Sequence, residues 1–135
     1  SRYRLRSEPG HRHITNLSGK LVIKIIIVMK KRKGMSREDF RNHYENCHAV
    51  LGRKYLGHLF ERYVRNYPSS RLDIDDEGGE TIDCVTEIWL KDAAALAQMQ
   101  EIIATPEIRA VFEADEKLFQ DKAASRFLIV DEVEG

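Results

Sequence analysis

Two residues of types that move protons stand where apolar ones are expected. The first is His48, in "RNHYENCHAVLGRKY" (Arg41 to Tyr55). Phe40, Tyr44, Cys47, His48, Leu51 and Tyr55 recur at spacings of three and four, the pattern of the core-facing side of an amphipathic helix. The second is Asp115, in "VFEADEKLF", flanked at the same spacings by Val111, Phe112, Leu118 and Phe119. Burial favours a neutral imidazole, and it raises a carboxyl's pKa unless a cation or a donor stands beside it. If the two helices share a cavity, the carboxylate can fix the imidazole's tautomer, and the pair is a proton-transfer device for neutral pH. A core histidine bonded to a backbone carbonyl, or an ion pair kept for structure, fits the same pattern.

Other residues could serve such a site. Tyr44, one turn before His48, is a candidate donor to a developing enolate or phenolate. Tyr63 and Trp89 could line a pocket that accepts an aromatic ligand, with Leu51, Phe112 and Phe119 as its apolar walls. Arg62 and Arg65 point to opposite sides of their strand, so one of them, Arg65, is the candidate ligand contact. Glu87 shares a strand face with Trp89 and could pair with an arginine. His43 and Cys47 stand four apart, but two ligands without a third make no metal site. The sequence contains no glycine-rich phosphate loop, nucleophile elbow or zinc signature.

The elements that must position these residues read clearly. "LVIKIIIVMK" is a short β-branched run, mostly apolar on both alternating sets, which predicts a strand covered on both faces. Gly34 turns the chain, and Ser36 with Asp39 opens a helix that runs to about Tyr55 and stops at Gly57. "ERYVRNY" is a second strand ended by Pro68, and "TIDCVTEIWL" a third, after the acidic loop "SSRLDIDDEGGE". A helix with Leu96, Met99 and Ile103 on one face follows. Thr105 and Pro106 restart a further helix, and "RFLIVDEVE" is the last strand. The order β-α-β-β-α-β predicts an α+β, ferredoxin-like protomer, with helices on one face of a four-stranded antiparallel sheet. The open sheet face then needs a cover, and a second copy of the chain is the economical one, giving a homodimer.

The chain has 135 residues, 42% hydrophobic and 33% charged, with no net charge. That length predicts one domain, residues 21–135. Residues 1–20 show neither apolar period and are expected to lie outside the fold, as a tag remnant or a start assigned too early. Neutral charge argues against nucleic-acid or anionic-membrane binding, and "KKRK" (Lys30 to Lys33) reads as a solvated loop. No apolar run is long enough to span a bilayer. Cys47 and Cys84 form no CxxC motif and suit free thiols in a reducing, cytoplasmic setting.

"VIKIIIVMKKRKGMSREDFRNHYENCHAVL" resembles the opening of EthD-domain proteins of the dimeric α+β barrel superfamily. "RYVRNY", "VTEIWL" and "ADEKLFQD" are similar to the family's later segments, in the right order, over about Val22 to Glu132. Val50 stands where the family usually has proline after His-Ala. The resemblance implies a homodimeric barrel with a pocket between helices and sheet. It places the family's histidine on His48 and its acidic segment on Asp115 and Glu116. The activity expected is that of a cofactor-independent enzyme, a dehydratase or decarboxylase acting on an aromatic or polyketide-like compound. A non-catalytic accessory protein of an ether- or aromatic-degrading system is the alternative. A cofactor-free monooxygenase and a haem-binding member with His48 as axial ligand are lesser ones.

Overall fold

The computed structural model describes residues 14–15, 21–70 and 81–135. Among the described residues, five strands and four α-helices follow in chain order. They are β1 (Ile14–Thr15), β2 (Leu21–Met29), α1 (Arg37–His43), α2 (Ala49–Leu56), β3 (Phe60–Asn66), β4 (Cys84–Leu90), α3 (Ala93–Ala104), α4 (Pro106–Phe119) and β5 (Arg126–Val130). The main sheet runs β5-β2-β4-β3, every pair antiparallel. This is the ferredoxin-like order, as the sequence pattern predicts. Ile14 and Thr15, from the segment expected to lie outside the fold, pair with Val22 and Leu21 of β2. The rest of that segment, and most of the acidic loop, lie outside the described residues.

Alternation separates the two sheet faces. Ile23, Ile25, Ile27 and Met29 of β2 stand opposite Leu90, Ile88, Thr86 and Cys84 of β4, beneath the helices. Leu56, Leu96 and Met99 close one half of that core; Phe40, Tyr44 and Phe119 close the other. The opposite face carries Ile26, Val28, Val64, Val85, Trp89 and Leu128, only partly covered within the protomer, with Leu128 47% exposed. The apolar character of β2 on both sides is explained by those two surfaces.

Helix ends form as their sequences dictate. Ser36 Oγ accepts from the Asp39 N–H at 3.0 Å, and Asp92 Oδ1 from the Ala95 N–H at 2.7 Å. Gly34 takes φ 82° in the turn before α1, a conformation that favours glycine. Pro106 opens α4 directly after α3. Three expectations need correcting. Strand β4 begins at Cys84 rather than Thr81, and β5 ends at Val130, ahead of the charged tail. The buried stripe of α4 is narrower than its periodicity suggests. Val111 and Leu118 are exposed, and Glu116, which the pattern would leave outside, is buried.

Candidate active site

The helix expected to run unbroken from Ser36 to Tyr55 contains one wide turn, Tyr44–His48, between α1 and α2. There the Ala49 N–H donates to the Tyr44 carbonyl five residues back, rather than four. Single turns of this kind occur mostly as one-residue bulges in α-helices, frequently at functional sites. In a regular helix His43 would share a face with Cys47. The wide turn instead leaves Cys47 exposed while His48 keeps its inward place, so Cys47 does not belong to the buried stripe.

Both histidines meet one carboxylate. His48 Nδ1 lies 2.8 Å from Asp115 Oδ2, and His43 Nε2 lies 2.9 Å from Asp115 Oδ1. Burial pushes the Asp115 carboxyl up, but the hydrogen bonds from His48 and His43 outweigh it, and the net shift is downward. The sequence pattern predicts a raised value only where no cation or donor stands nearby, and here two imidazoles do. An ionised carboxylate only accepts, so each imidazole presents an N–H to it. His48 is thereby held as the Nδ1–H form, with the Nε2 lone pair free of partners among the described residues. Phe119 braces the group, its ring centroid 4.8 Å from that of His43 and 5.0 Å from that of His48.

His48 borders a cavity of about 60 Å³ between the helices and the sheet. A single water needs about 10–15 Å³ on that scale, so several fit. Most of its wall is apolar: Ile25, Ile27, Leu56, Ile88, Met99, Ile103 and the rings of Phe60, Phe112 and Phe127. Polar groups enter from Tyr44, Tyr63, Glu116 and Gln120. Gly52 forms part of the wall, where a Cβ would come within 3.7 Å of the Tyr63 hydroxyl.

The tyrosines form a hydrogen-bonded chain. Tyr63 OH donates to Tyr44 OH at 3.3 Å, and Tyr44 OH lies 2.6 Å from Thr86 Oγ1. Thr86 Oγ1 also lies 3.8 Å from Met29 Sδ and 3.6 Å from Cys84 Sγ. Burial holds the Tyr44 phenol well above its ordinary value and pushes Tyr63 to about 12, so both stay protonated at neutral pH. Tyr44, the expected donor, borders the cavity with its hydroxyl bonded to both Thr86 and Tyr63. Tyr63, whose bond is the longer one, is the hydroxyl that can turn toward a ligand.

The remaining expected residues separate into two groups. Phe112 and Tyr63 border the cavity as predicted. Leu51 and Phe119 do not; Phe119 packs behind the histidines, fully buried. Arg65 is on the correct sheet face but is engaged with Glu45, donating from Nε at 2.9 Å and from Nη2 at 2.7 Å. Tyr67 OH donates to the same carboxylate. With Arg65 as the chief cause, the Glu45 carboxyl is lowered to about 2. This cluster anchors the wide turn to the sheet. Trp89 is on the opposite sheet face, its register partner being Lys24, and cannot touch the cavity. Glu87 pairs with Lys24 at 2.9 Å rather than with an arginine. Sequence patterning sets His43 beside Cys47 and misses its contact with Asp115, because nothing in the sequence announces a wide turn. It also missed Gly52, whose signal was a glycine inside a helix. No group of three potential metal ligands occurs among the described residues. No helix among them is long and apolar enough to cross a membrane.

Known proteins share this architecture. An EthD family protein from Bacillus halodurans superimposes with a TM-score of 0.57 at 21% identity, covering 84% of this chain and 100% of that one. A dimeric ferredoxin-like protein of unknown function from Thermobifida fusca gives 0.55 at 12% identity, covering 90% and 100%. A hydroxynitrile lyase from Passiflora edulis gives 0.50 at 12%, covering 84% and 97%. No curated protein matches the chain in sequence. The EthD domain model matches residues 32–123, from the turn before α1 to just past α4, and so takes in both halves of the His48–Asp115 pair. On that match, across most of its length, the chain belongs to the EthD domain family.

Proposed function

We propose that this chain is a small cofactor-independent lyase in which His48 moves a proton to and from a ligand in the cavity. One observation carries the reading. The Nδ1 of His48 is tied to Asp115 at 2.8 Å while the same ring borders a mainly apolar cavity. A neutral imidazole so held is a base suited to neutral pH. For an aromatic β-hydroxy ketone the step balances without a redox partner. His48 Nε2 takes the proton α to the carbonyl, and Tyr63 donates to the enolate oxygen. The β C–O bond then breaks, and hydroxide leaves as water with the proton from His48. The lyase from Passiflora edulis supports the reading only in that the same scaffold carries lyase chemistry there.

The partly covered apolar sheet face, with Leu128 47% exposed, supports a homodimer joined through that face. The dimeric neighbour from Thermobifida fusca is built on the same fold. The free thiols of Cys47 and Cys84 suit a cytoplasmic setting.

Dehydration of a panel of aromatic β-hydroxy ketones, followed by enone absorbance, tests the activity. Wild type should accelerate at least one member, and His48→Gln should lose about 10²–10⁴-fold. Equal rates in the two proteins across the panel, with binding retained, would leave a non-catalytic ligand-binding protein.

A further inference from the structure

His43 has no part in the proton transfer just described, yet it holds the other oxygen of the same carboxylate. Its Nε2 donates to Asp115 Oδ1 at 2.9 Å, leaving Oδ2 to His48 at 2.8 Å. The arrangement depends on the wide turn. Residues five apart in a regular α-helix point about 140° apart around the axis, so His43 and His48 could not both reach one side chain. The i to i+5 bond from Ala49 to Tyr44 closes that angle. Phe119, one turn after Asp115, lies nearly parallel to the His43 ring at 26° and tilted 47° to that of His48. The two imidazoles are thus packed against one aromatic surface, and they and the Asp115 side chain are all more than four-fifths buried.

A carboxylate held by a single donor can rotate and offer either oxygen. One held at both oxygens has a fixed plane. We propose that His43 is a positioning residue: by holding Oδ1 it fixes the Asp115 carboxylate, which keeps His48 as the Nδ1–H tautomer with Nε2 toward the cavity. The inference rests on the reading of His48 as the cavity base. It assigns the wide turn a purpose, to bring two imidazoles to one carboxylate. Where a metal site would place histidines around an ion, here Asp115 occupies the centre.

The test needs no substrate. Long-range proton–nitrogen spectra of histidine-labelled protein report the tautomer of His48 at mildly alkaline pH, where imidazoles are neutral. The full-length chain is compared with His43→Ala and His43→Gln. Wild type should show the Nδ1–H form. In His43→Ala the ratio of Nδ1–H to Nε2–H should fall about tenfold, the worth of one hydrogen bond to a charged group. In His43→Gln the amide N–H replaces the lost donor, and the ratio should recover. Should His43→Ala fail to fold, His43→Met, of similar length and without a donor, takes its place against His43→Gln. An unchanged His48 tautomer in the donorless variant, with only a lower melting temperature, would reduce His43 to packing against Phe119 and overturn the inference. A wild-type His48 already in the Nε2–H form would overturn the base assignment itself, which distinguishes the two failures.

Discussion

On the helix-covered face of the sheet a carboxylate is held by two imidazoles; on the open face a lysine is held by two carboxylates. The second cluster centres on Lys24, 6% exposed, whose ammonium pairs with Glu87 at 2.9 Å and with Glu132. Trp89 closes over it, the Lys24 Nζ 4.4 Å from the ring centroid. Burial pushes the Lys24 ammonium down, but the hydrogen bonds to Glu132 and Glu87 outweigh it, and its pKa is raised. That charge is permanent at any physiological pH, and the cluster can only hold structure together. The imidazoles at Asp115 are by contrast groups that can give up and take up a proton beside a cavity. Each cluster sets one mostly buried charge between two hydrogen-bonding partners. What distinguishes them is the type of cation and the cavity beside it.

That difference predicts opposite responses to mutation. Lys24→Met leaves two carboxylates facing each other beneath Trp89 and should cost about 3–5 kcal/mol in denaturant unfolding, with no change at His48. Asp115→Asn should cost less, about 1–3 kcal/mol. Its amide cannot accept at both atoms, so one imidazole loses its partner and any turnover should fall with it. A Lys24→Met protein that altered the His48 tautomer would show that the two clusters are one coupled unit.

Acid should act on the anchors of the wide turn. The folded-state pKa of Glu45, about 2, is below its ordinary 4.5. Its contribution to stability is therefore complete above about 4.5 and is lost as the pH falls toward about 2. Melting temperatures measured across that window should fall less steeply in Glu45→Gln than in wild type. The smallest effect is expected at Gly52. A Cβ there meets Tyr63 only at ordinary contact distance, so Gly52→Ala should raise stability by about 0.5–1 kcal/mol while narrowing the cavity. A loss of stability would mean that the backbone at Gly52 needs the missing side chain for another reason.

The fold could be read from the sequence because its signals are local. Ser36 with Asp39, Pro106 and the β-branched run of β2 each act within a few residues, and each forms its expected element. The site was half readable for the same reason. His48 and Asp115 violate a helical period and so stand out. Their helices meet because the fold brings them together. What periodicity could not show was the wide turn, since its single extra residue changes every downstream direction without changing composition. Hence helical spacing sets His43 beside Cys47, while the folded chain turns Cys47 to solvent and gives His43 to Asp115. Trp89 was misplaced for a different reason. An aromatic side chain suits either sheet face, and only the register with Lys24 reveals which one it takes.

The pairing of His48 with Asp115 is best examined by recording the imidazole nitrogens of His48 in wild type and in Asp115→Asn at mildly alkaline pH. In wild type the proton should reside on Nδ1, with Nε2 bare, and in Asp115→Asn that preference should disappear. If His48 shows the same protonation pattern in both proteins, Asp115 does not hold it, and a cavity base orientated by that carboxylate is contradicted.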